Sequence, residues 1–231
     1  MSQLYYGESL PNVDISNHLG KLIVIEGADG SGRSTQIQKI THWLEQKGYY
    51  VVNVGIKRST LVAEELSLAQ ESNNLTTTTM SLFYATDFAD QLENKIIPAL
   101  IAGAIVLCDR YIYTLMARDL VRGAKKEWLE ELFGFALIPD MVFYLQTSPN
   151  ILVERNLEKS NTLNYWESGM DLGISNFIFD SFIIYQKLIT KEFLRMKHQY
   201  NFHIINGNRP IKTITKNIQA KLEHLLEVNH D

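Results

Sequence analysis

Residues 22–35, Leu-Ile-Val-Ile-Glu-Gly-Ala-Asp-Gly-Ser-Gly-Arg-Ser-Thr, set three glycines, an arginine and a pair of hydroxyls between an apolar run and a stretch of helical spacing. Gly27, Gly30 and Gly32 allow a tight turn whose backbone N–H groups converge on one point, and a helix starting at Arg33 adds the positive end of its dipole. A polyphosphate fits such a cradle, built from Gly27, Asp29, Gly30, Ser31, Gly32, Arg33, Ser34 and Thr35. Gly27, Gly32 and Ser34 fall at the spacing of the phosphate-binding loop G-x-x-x-x-G-K-[ST], with Arg33 in the lysine position. Ser34 would give its hydroxyl to Mg²⁺, and the planar fork of Arg33 would hold two phosphate oxygens. A glycine-rich strand-to-helix turn without a ligand is the alternative.

Asp109 and Arg110 directly follow a second apolar run, at the carboxyl end of a strand where open α/β sheets bind their ligands. The carboxylate can position Mg²⁺ or its waters, and the guanidinium can hold a phosphate. A mutual or helix-capping salt bridge is the competing reading. The elements that must place these groups show in the pattern. Strand-like apolar runs recur at residues 22–25, 49–54, 104–107, 141–145 and 202–205. Between them, Ile37, Ile40 and Leu44 repeat at helical spacing before Gly48, and Ala85, Phe88, Ala89, Leu92 and Ile96 do so after an N-capping stretch at 76–79. Ile214, Ile218, Leu222, Leu225 and Leu226 make a last amphipathic helix behind Pro210. Such alternation, with strands apolar on both faces, predicts an α/β fold with a buried parallel sheet.

The chain of 231 residues is 45% hydrophobic, 10% aromatic and 21% charged, with 13 Gly and 5 Pro, which excludes collagen-like, low-complexity and disordered classes. A net charge of −4 argues against nucleic acid or an anionic membrane surface as partner. No apolar run is long enough to span a membrane, and residues 1–20 lack the pattern of a secretory signal. Cys108 is the single cysteine, so no internal disulfide forms and a reducing, cytoplasmic setting fits. The six histidines show no metal-binding spacing. Residues 1–20 carry no period and read as an N-terminal extension outside the core, with one domain over 21–231.

Three segments, 26–36, 82–100 and Asp109-Arg110-Tyr111, resemble the thymidylate kinase family of P-loop nucleoside monophosphate kinases in content, order and spacing. The resemblance implies a single P-loop kinase domain with a five-stranded parallel sheet, helices on both faces and a small lid. It further implies ATP as donor, Mg²⁺, a nucleoside monophosphate as acceptor and a homodimer. Asp29 matches the carboxylate that receives the acceptor's 3′-hydroxyl, Arg110 the contact to the acceptor phosphate, Tyr84 the aromatic that stacks on the base, and Thr114 a hydroxyl that fixes phosphate or base.

The departures cluster on the acceptor side. Phe88 stands where the family has a base-contacting arginine, and Arg118 and Asp119 stand in place of a tyrosine and a glutamine-like residue. Lys57 and Arg58 lie where an Arg-Glu-Pro triplet is usual. Tyr84 and Phe88, at i and i+4, are expected to line one pocket wall. Asp119 either accepts from the base or pairs with Arg122 on a solvated helix face. The lid, about 154–175, is poor in arginine, so Arg33, Arg110, Arg155 and Arg58 must supply the charge around the transferring group. The first reading is ATP-dependent phosphorylation of dTMP or a related nucleotide. A nucleotide-binding regulator, suggested by Arg33, and a kinase for another small acceptor are the alternatives.

Overall fold

The computed structural model describes residues 3–11, 13–15, 18–72 and 76–227. Of the extension expected over 1–20, positions 1, 2, 12, 16 and 17 lie outside the described residues, as do 228–231.

Each predicted apolar run forms a strand. In chain order the elements are β1 (Lys21–Gly27), α1 (Arg33–Gln46), β2 (Val51–Gly55), α2 (Ala63–Ser72), α3 (Thr77–Gln91), α4 (Ile97–Ile101), β3 (Ile105–Asp109), α5 (Ile112–Val121), α6 (Lys126–Leu132), β4 (Met141–Gln146), α7 (Pro149–Ser160), α8 (Ile178–Gln199), β5 (His203–Asn206) and α9 (Ile211–Glu227). The strands form one parallel five-stranded sheet, flanked by helices, in the order β2-β3-β1-β4-β5. β1 is central and buried from Leu22 to Gly27, which is why its sequence is apolar without alternation. Register runs from Val51 opposite Ile105 to Gly55 opposite Asp109, and from Phe143 opposite His203 to Gln146 opposite Asn206. The carboxyl ends of β1 and β3 therefore open directly into the two motif segments.

The chain packs as two compact units, residues 1–24 with 48–141 and residues 25–47 with 142–231. In the first, the Thr76 hydroxyl caps α3 by accepting from the Thr79 N–H at 3.4 Å. A π-helical turn at Leu92–Ile96 joins α3 to α4, whose first turn holds Pro98. The wider turn absorbs a residue that has no N–H to give. In the second unit α1 packs on α9 and α7 on α8. α7 ends at Asn161 with a left-handed φ of 54°, and two short 3₁₀ turns, Trp166–Ser168 and Met170–Leu172, follow. Gly169 permits these turns, because a Cβ there would stand 2.7 Å from the Tyr185 ring at a φ of +62°.

The N-terminal segment is not outside the core. Tyr5 and Ile15 are 6% and 3% exposed. Tyr5 bridges Leu137 antiparallel, the Tyr6 N–H donates to the Ala136 carbonyl, and the Tyr6 and Tyr113 hydroxyls meet at 2.5 Å. Its anchors are single residues rather than a periodic face, so no repeat in the sequence announces them.

Candidate active site

Loop 27–32 continues from β1 in the second unit. Gly27, Gly30 and Gly32 have φ of 152°, 82° and 94°. A Cβ at Gly27 would come within 2.6 Å of the Ser31 hydroxyl, and one at Gly30 within 2.8 Å of Asn156 Nδ2. Both positions need glycine for space as well as torsion. α1 begins without a side-chain cap and without an acidic residue in its first turn, so its leading N–H groups favour an anion. Ser31 Oγ is buried with no hydrogen-bond partner, a state that costs about 1–3 kcal/mol and that a phosphate oxygen would relieve. Ser34 is exposed on the first turn of α1, where its hydroxyl is accessible to a hard cation, and Thr35 beside it is half-buried. An orphaned hydroxyl, an uncapped helix and an exposed serine fit a Mg²⁺-bound polyphosphate.

Arg33 takes another direction than the spacing suggests. Its guanidinium is buried and turns onto its own loop: Nη1 donates to the Gly27 carbonyl and, at 2.6 Å, to that of Ala28. Nη2 lies 3.4 Å from the carboxylate of Asp29, which is partly exposed. Arg155 likewise faces backbone, with Nη1 3.2 Å from the Gly30 carbonyl and Nη2 3.2 Å from that of Gly207. Its neighbour Asn156, which nothing in the pattern singled out, donates to the Asp29 carbonyl at 2.9 Å. The stretch 161–177 after α7 holds no lysine or arginine.

In the first unit Asp109 ends β3 and lies 3.4 Å from Arg58 Nη2, so the sequence-distant Arg58 is brought to the strand-end carboxylate. Arg110 adopts a φ of 69°, uncommon for a side-chain-bearing residue and a mark of a constrained position. Cys108 is buried, and its thiol donates to the Arg110 carbonyl at 2.8 Å. Lys57 also has a left-handed φ, 60°. The Lys57–Ser59 turn is fixed by Asp87, whose carboxylate accepts from the Lys57 N–H at 2.8 Å and the Ser59 N–H at 3.0 Å. Gln91 supports it with a 3.0 Å bond to Asp87 and accepts from the Gly55 N–H. Burial pushes the Asp87 carboxyl up, and the two loop N–H groups pull against that shift. Asp87, Asp90 and Gln91 form a polar face at i, i+3 and i+4 that the apolar reading of this helix passed over.

Tyr84 and Phe88 are both buried. Burial raises the Tyr84 hydroxyl above its usual range, with Arg118 and Arg110 opposing. Phe88 does not stand free on a pocket wall: it packs edge-on against Tyr111 with centroids 4.9 Å apart and tilts against Phe135 at 5.6 Å. It lines, with Cys108, Arg110 and Tyr111, a cavity of about 10 Å³, room for one water. Thr114 is buried and Arg118 half-buried on α5. Asp119 departs from both expectations. It is 9% exposed, not on a solvated face, and its carboxylate accepts from the Ser81 hydroxyl at 2.7 Å rather than standing open to a base. Among the described residues no cluster of three acidic, histidine or cysteine side chains forms a metal cage, and no helix is long and apolar enough to cross a membrane.

The family model for thymidylate kinase matches residues 25–218. "Probable thymidylate kinase 2" of Saccharolobus solfataricus is 35% identical over 210 residues, covering 90% of this chain and 98% of its relative. "Probable thymidylate kinase" of Pyrococcus abyssi is 26% identical with the same coverage of both chains. "Thymidylate kinase" of Caldicellulosiruptor saccharolyticus is 37% identical over 142 residues, 59% of this chain and 69% of its own. With a phosphate-type loop on the central strand, an Asp-Arg at the end of β3, a family model over residues 25–218 and two relatives matched over nearly their whole length, the chain belongs to the thymidylate kinase family.

Proposed function

We propose that this protein is an ATP-dependent nucleoside monophosphate kinase that phosphorylates dTMP to the diphosphate. The reading is carried by the orphaned Ser31 hydroxyl beside the uncapped start of α1, an arrangement that a phosphate oxygen would satisfy. ATP would bind along 27–35 through backbone N–H groups, Ser31 and Thr35. Mg²⁺, held by the Ser34 hydroxyl with Asp109 or its waters, would screen the phosphate charge. Arg110 would hold the acceptor phosphate, with Lys57 and Arg58 supporting it, and Tyr84, Thr114 and Arg118 would serve base and sugar. An ionised acceptor phosphate requires no general base, so positioning and charge carry the rate. A homodimer and a cytoplasmic setting belong to the same proposal.

A coupled assay with MgATP against thymidine, uridine, guanosine and cytidine monophosphates is the test. The highest kcat/KM is expected for dTMP. Absence of ADP formation with every monophosphate would overturn the reading. The folded-back guanidinium of Arg33 favours a second one, a nucleotide-binding regulator, which tight MgATP binding without turnover would bring forward.

A further inference from the structure

We infer that Asn156 is a positioning residue that sets the donor loop through its backbone and ties it to the helix that carries the lid. The inference rests on the reading of 27–35 as the donor site.

Every carbonyl from Gly27 to Ser31 meets a side-chain donor. Arg33 takes Gly27 and Ala28, Asn156 takes Asp29 at 2.9 Å, and Arg155 takes Gly30 at 3.2 Å and Ser31 at 3.5 Å. Across a planar trans peptide the next residue's N–H points opposite to the carbonyl. Fixing the Asp29 carbonyl on Asn156 therefore fixes the Gly30 N–H on the other side of the loop, and Arg155 does the same for Gly32. A nest of N–H groups binds an anion only when those groups hold their direction before the anion arrives.

Asn156 suits this task chemically. Its amide has two N–H donors, one directed to the Asp29 carbonyl and the other to the Leu152 carbonyl one turn back at 2.8 Å. Both are engaged, so the side chain has little rotational freedom. The approach is close: Gly30 at φ +82° leaves no room for a Cβ, whose nearest neighbour would be Asn156 Nδ2. An apolar contact backs the polar one. Ala28 of the loop packs on a cluster of Leu152 of α7, Leu163 of the lid and Phe182 of α8. The Arg155-Asn156 pair lies on the final turns of α7, shortly before the chain enters the lid at Asn161. The set of the loop N–H groups is thus tied to α7 through Asn156 as well as Arg155.

The experiment compares wild type with Asn156→Ala and Asn156→Asp, the latter keeping shape while turning both donors into acceptors that face two carbonyls. MgATP affinity is read by calorimetry, KM for each substrate and kcat by the coupled assay, and unfolding by urea. Losing one hydrogen bond to a neutral carbonyl corresponds to a roughly threefold to tenfold effect. MgATP affinity is expected to fall by that factor in the alanine variant and at least as far in the aspartate variant. KM for the monophosphate should stay within about twofold. Equal rises in both KM values, or unchanged MgATP affinity accompanied by lost stability, overturn the positioning role. A wild type that does not bind MgATP at all overturns the donor-site reading instead.

Discussion

At Arg33 a wide planar fork replaces the compact charge on a flexible stem that the loop motif usually carries, and the fork finds its acceptors inside its own loop. To reach a phosphate it must release two carbonyls and a carboxylate, so part of its interaction with ATP is offset before transfer begins. A lysine ammonium, a compact charge with three donors in place of five, has fewer such partners to leave. Arg33→Lys is therefore expected to keep or raise kcat with MgATP affinity within about threefold, whereas Arg33→Ala lowers both affinity and rate by more than tenfold. Calorimetry with the coupled assay checks both, and an inactive lysine variant would mean that the loop is built around the guanidinium. The spacing of the glycines and Ser34 made the cradle legible from sequence. The direction of the guanidinium was not, because it depends on which carbonyls the folded loop presents.

The joint between α3 and α5 belongs to the element scale. Ser81 Oγ lies 2.9 Å from the Thr77 carbonyl and 2.7 Å from Asp119, yet a hydroxyl has one proton to give. That single proton is shared between the Thr77 carbonyl and the Asp119 carboxylate, both of which accept. Burial pushes the Asp119 carboxyl up to about 6, against the pull of Ser81, Arg122 and Arg118. The folded state thus binds more protons than the unfolded state between about pH 4 and 6, and stability falls as pH rises through that window. Asp119→Asn, neutral and able to donate to Ser81, should flatten this slope and be as stable as wild type or more so at pH 8, by about 1–2 kcal/mol. Urea midpoints across pH read the slope, and an unchanged one would remove Asp119 as its source. The ranking of acceptor bases should not move, since this carboxylate faces Ser81. Legibility here divides by burial. The five strands showed as apolar runs because parallel strands are covered on both faces. α8 did not show, because Ile184, Leu188 and Leu194 put apolar residues on its exposed side and blur the helical period.

For the molecule as a whole, the N-terminal segment is the part whose weight the sequence hid. Tyr5 pairs with Leu137, Tyr6 with Ala136 and Tyr113, and Gly7 with Gly134. Burial raises the Tyr6 hydroxyl to about 12, so Tyr6 keeps its proton for the contact with Tyr113 throughout the physiological range. Among the described residues of the segment, Tyr5 and Ile15 take large apolar side chains out of water, which favours the folded state. Deleting residues 1–15 is therefore expected to reduce stability by about 1–4 kcal/mol, seen as a lower urea midpoint, because Leu137 and the Tyr113 hydroxyl lose their cover. MgATP affinity should remain within about twofold, since no contact of the segment named here involves loop 27–35. A midpoint that does not move would show that the segment lies on the core without stabilising it, and a tenfold loss of MgATP affinity at unchanged stability would give it a part in the donor site.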